Sequence, residues 1–520
     1  MSPQNTRRAE RQQTGTRGAT TLARLSMIRG DDLTLGDMFD QLARIRPHRT
    51  LVTELGPDEV SFTYAEAAER CARWSGTLRR TVHLGDRVVL ALPNGYSVFV
   101  ASVAVARAGG IAVPVNSRMN SSEIDHVIRD SQAKLVVREE DELEGNDDPP
   151  AVPAAPDDIA AIFYSSGTTG RPLGAQLTHR SLTGFVRLLA LNPAGGRRSE
   201  AVSGLPVAHI SGFSMLVMLA GLGIPVYLLR KFNPVQALDA IERRQAAMFI
   251  GVPAMYRMML DAGAEQRDLR SIRLWASGAD TMPDELARCF RGLGGGFRLP
   301  LVRRTVGVAT FIDGYGLVEA AGAAALKLIL PGPASSRPRP IVVALPGYKL
   351  RVLDDDGAAA GRGQVGELVL KGPGIMRGYH GNRDATAEVM TGDGWLRTGD
   401  LARGGRLGSV ELVGRKKDVI KHGGYSVYAA EVERTLENHP DILEAAVIGL
   451  HDEQKGQVPV AALRLRVGVL LSEGDLRAWL QPRMADYKIP KIFRFMDDLP
   501  RNATDKVVKS ELLALFAAPT

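Results

Sequence analysis

Ser165-Ser166-Gly167-Thr168-Thr169-Gly170 is the segment of this chain best suited to chemistry, and an apolar run, Ile159–Tyr164, reads as a strand leading into it. Small residues let the backbone fold tightly, so several N–H groups can converge on an anion, and four hydroxyls among them are further donors. Such a loop suits a polyphosphate. It is not a Walker A loop, because no Lys-Ser or Lys-Thr follows the second glycine. By itself the same composition also describes a plain surface turn. Other chemically useful side chains lie far downstream: Glu319 behind Gly314-Tyr315-Gly316, Asp400 behind Thr398-Gly399, and Lys506 near the end of the sequence. Taken singly, these are a surface carboxylate, a turn residue and a solvated lysine.

The elements that position these residues alternate between β-rich apolar runs and helical patterns. Residues 87–92 read as a strand, 97–108 as a helix, 110–115 as a strand, 122–130 as a helix and 133–137 as a strand. The rhythm resumes with a helix over 237–244, a strand over 248–251, a helix over 254–261 and a strand over 274–277. Strands separated by helices of this length indicate parallel α/β layers. Residues 349–354 and 364–371 read as strands of a separate small β subdomain. From 415 onward the pattern becomes α+β: a helix over 429–438, strands over 442–450 and 458–465, a helix over 473–483 and a strand over 491–495. The expected division is a basic tail (1–30), a large α/β domain (31–414) and a C-terminal α+β unit (415–520) of a size that folds on its own.

At 520 residues the chain is too long for one core. Hydrophobic residues make up 45% and charged residues 24%, which suits a water-facing globular protein. Cys71 and Cys289 give neither a disulfide framework nor metal spacing, which fits a reducing, cytoplasmic setting. The net charge is +7, but the basic residues are scattered and no basic helix interleaved with aromatics occurs, so nucleic acid is not an expected partner. The tail carries Arg7, Arg8, Arg11, Arg17, Arg24 and Arg29 without an apolar core, which excludes a secretory signal. The apolar stretch 212–229 is broken by Gly221, Gly223 and Pro225, so it reads as a buried helix and a strand, and any membrane contact would be peripheral.

Several motifs follow one another in a recognisable order. After the hydroxyl-rich loop come Pro206-Val207-Ala208-His209-Ile210-Ser211-Gly212, then Gly314-Tyr315-Gly316-Leu317-Val318-Glu319. Next are Gly366-Glu367-Leu368, Gly378-Tyr379, Gly394-Trp395, Thr398-Gly399-Asp400 and Gly414-Arg415-Lys416-Lys417-Asp418, and last Leu499-Pro500-Arg501 with Asp505-Lys506. In this order, from about Leu35 to Leu513, the chain resembles the adenylate-forming superfamily and, within it, the fatty-acyl and aryl-CoA synthetases.

The resemblance implies a fold of two α/β parallel-sheet layers plus a small β subdomain, with a mobile C-terminal lid. It implies ATP, Mg2+ and coenzyme A as cofactors and activation of a carboxylic acid, a fatty acid by first expectation, to acyl-AMP and then to a thioester. In that scheme Ser165, Ser166, Gly167, Thr168, Thr169 and Gly170 hold the β- and γ-phosphates. Glu319 binds Mg2+, with Thr168 or Thr169 sharing it. Tyr315 stacks on adenine between Gly314 and Gly316, Asp400 accepts from the ribose hydroxyls, and Arg415 reinforces the ribose. Lys506 bridges the carboxylate and the α-phosphate as they join. The lid turns about Lys417, after which Lys421, Gly423, Gly424 and Tyr425 line the pantetheine channel. His209 gates the acyl pocket, which also includes Gly212, Phe213, Ser277, Gly278, Ala279, Leu317 and Val318. An acyl-AMP ligase that loads a carrier protein, or a non-catalytic adenylate binder, are the alternatives.

The sequence departs from the family pattern at several positions. Leu173 stands where the phosphate loop has lysine, Ala208 where an aromatic residue precedes the histidine, and Val318 where a threonine hydroxyl is usual. Ser426 and Ala429 replace Asn and Pro, and Asp505 replaces the glycine before the lysine.

Overall fold

The structure, a computed structural model, describes residues 33–116, 119–165, 172–186, 189, 200–280, 282–298, 305–329, 342–405, 408–466, 468–501 and 507–517. The basic tail, residues 166–170 of the hydroxyl-rich loop, and Lys506 lie outside the described residues. The chain forms two compact units. The first comprises residues up to 250 together with 316–322 and 373–387, and the second comprises 251–315, 323–372 and 388–520.

In the first unit one sheet runs in the order Gly378–Tyr379, Leu173–Thr178, Ile159–Ser165, Ile111–Pro114, Arg87–Leu90, Leu135–Val137. Its inner strands pair in parallel. Leu173–Thr178 turns back antiparallel on Ile159–Ser165, with Leu173 opposite Ser165, so the hydroxyl-rich loop connects two neighbouring strands. The other sheet places Met248–Gly251, Ala201–Ser203, Val226–Leu229, Thr50–Leu55 and Glu59–Thr63 side by side, and only the last pairing is antiparallel. Every residue of helix Tyr96–Arg107 is buried, which explains a sequence apolar on all sides rather than on one stripe. Helix Tyr64–Leu78 begins with a reciprocal cap between Thr63 and Glu66. The long apolar stretch resolves as expected into helix Ile210–Leu222 and strand Val226–Leu229. Among the described residues no helix is long and apolar enough to cross a membrane.

The second unit begins with Leu274–Gly278 parallel to Thr310–Leu317. The sheet continues through Gly322–Ile329, Val342–Ala344, Val410–Arg415, Leu396–Gly404, Val365–Lys371 and Lys349–Leu353. The last members pair antiparallel, and Trp395 seals their face with Leu353 and Val369. The C-terminal part is built on Ile442–Asp452 and Gly456–Leu465, a long antiparallel pair buried on both faces. Successive strand residues point to opposite sides. Ala445, Val447, Ala461 and Leu463 therefore pack under the helices Ala429–Glu437 and Glu473–Leu480, while Ala446, Ile448, Val460 and Ala462 meet Leu499 and Leu512. The α/β reading of the chain, with an α+β C-terminal part, holds.

Candidate active site

One corner of the second unit follows from strand register. Asp400 on Leu396–Gly404 lies opposite Arg415 on Val410–Arg415. Directly opposed side chains meet on one face, and Arg415 Nε sits 2.8 Å from Asp400 Oδ1. The Tyr315 hydroxyl donates to Asp400 Oδ2 at 2.6 Å. Thr398 accepts from the backbone N–H of Asp400 and donates to the carbonyl of Leu368, which fixes the turn. Burial and the neighbouring Asp400 push the Tyr315 hydroxyl well above its ordinary pKa, so it stays a donor. Tyr315 and Arg415, from separate motifs, thus meet at the buried Asp400 carboxylate.

One residue that the sequence reading passed over belongs here. Asp313 lies two residues before Tyr315, so the two side chains share a face of strand Thr310–Leu317. Ser277 is opposite Asp313 in the parallel register. Asp313 Oδ1 and Ser277 Oγ are both buried without a hydrogen-bond partner. Buried polar atoms are almost always paired, so these two atoms are open to a hydrogen bond from water or a polar ligand. Burial raises the Asp313 carboxyl to about 7. The sign follows: the folded protein holds this proton more tightly than the unfolded chain, so its contribution to stability is present below the ordinary carboxylate value and is lost as pH rises through 7. Asp313→Asn is expected to flatten the fall in thermal midpoint between pH 5 and 8, by comparison with wild type. Identical pH profiles for the two proteins would contradict it.

The first unit holds the metal-ligand candidate. Glu319 lies in the 3-10 turn Val318–Ala320, and its carbonyl accepts from the N–H of Met376 at 2.8 Å. Its Oε1 accepts from the hydroxyl of Tyr379, also at 2.8 Å. Burial and Glu319 push the Tyr379 hydroxyl far upward, so it too remains protonated. Strand Gly378–Tyr379 is itself zipped to Leu173–Thr178, the strand that follows the hydroxyl-rich loop. A polar cavity of about 470 Å³ opens beside it, lined by Gln176, Tyr379, Gly381, Asn382, Arg383 and Asp384. Among the described residues no cluster of three His, Cys, Asp or Glu could cage a metal alone. A single carboxylate with phosphate oxygens is the donor set that suits Mg2+, and Glu319 fits that role.

Leu173 opens its strand as a half-buried residue paired with Ser165. A lysine there would restore a cation at the exit of the loop. Since a charge-assisted contact contributes roughly 1.5–3 kcal/mol, Leu173→Lys is expected to raise the rate of pyrophosphate release by about 10- to 150-fold, and an unchanged rate would count against it.

Residues expected at the acyl pocket are placed unevenly. His209 caps helix Ile210–Leu222, its Nδ1 accepting from the N–H of Ser211 at 3.2 Å. Gly212 is required by close packing, because a Cβ there would meet the carbonyl oxygen of Pro206 at 2.2 Å. Phe213 is wholly buried between Phe99 and Phe163. Leu317 is half-buried and Val318 buried, immediately before Glu319. In the second unit, Ala279 holds a φ of 66° directly after Ser277 and Gly278. A left-handed non-glycine residue is uncommon and marks a site the surroundings over-determine.

Toward the C-terminus, Lys417 occupies the middle of the 3-10 turn Lys416–Asp418, right after Arg415. The turn after Val419–His422 is a two-residue hairpin loop, with His422 opposite Tyr425 and both Gly423 and Gly424 at positive φ. That backbone explains the glycine pair. Lys421 Nζ donates to Ser426, and exposed Tyr425 stacks on Tyr487. On either side of Lys506 the chain is anchored, with Arg501 bridging to Val507 and Lys509 paired with Glu433 and Asp418.

Residues 39–380 match the AMP-binding enzyme family, and residues 431–506 match the AMP-binding enzyme C-terminal domain. The chain is 32% identical to a feruloyl-CoA synthase from an Amycolatopsis species, over 93% of this chain and 99% of the relative. It is 31% identical to a 2-succinylbenzoate–CoA ligase of Geobacillus kaustophilus, over 93% and 98%. Among solved structures, the Bacillus subtilis o-succinylbenzoate CoA synthetase in complex with ATP and magnesium matches with a TM-score of 0.75 at 27% identity, covering 92% of this chain and 99% of that one. This chain belongs to the AMP-binding enzyme family, in the adenylate-forming superfamily of acyl- and aryl-CoA synthetases.

Proposed function

We propose that this protein is an ATP-dependent, AMP-forming acid–CoA ligase. The observation that carries the reading is the Asp400 carboxylate, held between the Tyr315 hydroxyl and the Arg415 guanidinium, with one carboxylate oxygen of Asp313 and the Ser277 hydroxyl buried without a hydrogen-bond partner in the same unit. A ribose and an adenine supply what these groups lack. The ribose hydroxyls donate to Asp400, and the exocyclic amine of the base donates to Asp313. The relatives named as CoA ligases, and the neighbour solved with ATP and magnesium, support the same assignment.

In the first half-reaction a substrate carboxylate oxygen attacks the α-phosphorus of ATP, a P–O bond forms, and pyrophosphate leaves. Charge builds on the phosphoryl oxygens, so catalysis is chiefly positioning and electrostatic stabilisation. Glu319 would hold Mg2+, which would supply charge neutralisation at the phosphates. Lys506 supplies its ammonium where the carboxylate and α-phosphate meet. In the second half-reaction the thiol of coenzyme A attacks the acyl carbon, the thiol proton is lost, and AMP leaves. Rotation about Lys417 withdraws Lys506 and presents the Lys421–Tyr425 hairpin for that step.

The residues that the resemblance assigns to the acyl pocket include His209 but no lysine or arginine to meet a second carboxylate. An aryl or fatty monocarboxylate fits that lining. The aromatic acids in the names of the relatives make cinnamate-type acids the first probes and fatty acids the second. The test is AMP release over a panel of carboxylic acids, with and without coenzyme A. The expected result is acid-dependent AMP release that coenzyme A accelerates. Acceleration by a phosphopantetheinylated carrier protein but not by coenzyme A would make the protein a carrier-loading ligase, and ATP binding without any AMP release would make it a binder.

A further inference from the structure

Residues 373–387 form a short excursion of the chain into the first unit, as do residues 316–322, and the two excursions meet at Glu319. The first excursion touches Glu319 at two points. The Met376 N–H donates to its carbonyl, and the Tyr379 hydroxyl donates to its carboxylate. The same segment is laced to the strand that follows the hydroxyl-rich loop. Arg377 N–H donates to the Gln176 carbonyl at 2.9 Å, His380 N–H donates to the Gly174 carbonyl at 2.8 Å, and the His380 ring bonds the Gln176 amide at 3.2 Å. Tyr379 has little freedom to move. Its N–H donates to Thr386 Oγ1 at 2.9 Å, and Gly378, at φ 152°, has no room for a Cβ because Thr386 lies 2.9 Å from that position. The backbone around Tyr379 is fixed on three sides, and its one polar side-chain atom is spent on Glu319.

We propose that Tyr379 is a positioning residue for the divalent cation, holding Glu319 in the rotamer that presents its other carboxylate oxygen to the metal on the ATP phosphates. The inference rests on the ligase reading above. A single protein carboxylate binds Mg2+ weakly, so its orientation matters more than it would in a closed cage. Partners that orient a metal ligand typically account for 10–100-fold in metal affinity. Tyr379 does not touch ATP or acid in this scheme and acts through Glu319 alone.

The test separates orientation of the metal ligand from general support of the site. ATP binding to wild type and Tyr379→Phe is measured by calorimetry without any carboxylic acid, first with EDTA and then across a Mg2+ series. Tyr379→Phe is expected to raise the Mg2+ concentration for half-maximal ATP binding by about ten-fold and to leave metal-free ATP affinity unchanged. In the Glu319→Gln background the same substitution is expected to add nothing, because its effect passes through Glu319. A Tyr379→Phe protein that matches wild type within two-fold across the series overturns the proposal while leaving the ligase reading intact. Equal weakening with and without Mg2+, or a full additional loss in the Glu319→Gln background, also overturns it, since either shows Tyr379 supporting the loop and not the metal ligand. Wild type that binds ATP with no dependence on Mg2+ overturns this proposal and the metal role of Glu319 together.

Discussion

Lys506→Ala is expected to slow acyl-adenylate formation by about 10²–10³-fold while leaving thioester formation from supplied acyl-adenylate within a few-fold of wild type. The magnitude is that of removing one preorganised donor from a developing oxyanion, about 2.7–4 kcal/mol. The asymmetry comes from the chemistry. Joining two anions, a carboxylate and a phosphate, requires a cation between them. Attack of a thiol on the finished anhydride does not. The anchors on either side, the Arg501–Val507 bridge and half-buried Lys509 with Glu433 and Asp418, hold the described residues that flank position 506. Rapid-quench measurement of acyl-AMP, beside a coupled assay that starts from synthetic acyl-AMP, reads the two steps separately. Equal loss in both would remove Lys506 from the adenylation step.

The second large effect is on stability. Arg257, on helix Pro253–Asp261, is buried against the C-terminal part of its unit. It pairs with Glu437 at 3.1 Å and Glu444 at 3.2 Å and donates to the Leu443 carbonyl. Arg501 closes the network on the far side of Glu444. Buried Arg257 and Glu444 and partly buried Arg501 and Glu437 make up the set. Removing one member of such a set costs about 3–5 kcal/mol, because a charge is left without a partner, even where the whole set contributes little net stability. Burial pushes the Glu437 carboxyl up to about 8, with Arg257 pulling the other way. The cost of Arg257→Met is therefore expected to grow as pH rises through 8, where Glu437 must stay ionised without its cation. Below that, Glu437 takes up a proton and the loss is smaller. Adding Glu437→Gln to Arg257→Met is expected to recover most of the loss at pH 9, since Glu444 keeps Arg501. Urea unfolding at pH 6 and pH 9 checks both statements. A pH-independent cost for Arg257→Met would contradict the arrangement.

The parts of this site that the sequence declares are those whose chemistry is local. The glycines at 423 and 424 announce a turn, and a tight hairpin is found. The near-continuous apolar runs over 442–450 and 458–465 announce strands, and both faces turn out to be buried. The stretch 212–229 announces its own division through two glycines and a proline. Tyr315, Asp400 and Arg415 lie far apart in the chain, and only their order among the motifs suggested that they belong together. The register between Leu396–Gly404 and Val410–Arg415 is what joins them.

Other features carried no local signal. Asp313 reads as an ordinary carboxylate before a glycine, and its unpaired oxygen arises from burial opposite Ser277, which depends on a parallel pairing across more than thirty residues. Tyr379 stood inside a recognised motif, yet its hydroxyl bond to Glu319 depends on two excursions of the chain meeting in space. The network around Arg257 joins residues nearly two hundred positions apart. A buried arginine looks like any surface arginine until its partners are placed. His209 shows the opposite case, where motif position suggested a gate and local geometry shows a capping bond.

The central claim is that this chain joins a carboxylate to AMP before any thiol takes part. Carboxylate-dependent exchange of labelled pyrophosphate into ATP, measured with Mg2+ and without coenzyme A, tests it most directly. The account predicts exchange that needs both acid and Mg2+ and that disappears in Lys506→Ala. Absence of exchange with every acid of the panel, or exchange that proceeds equally well with no acid present, would contradict it.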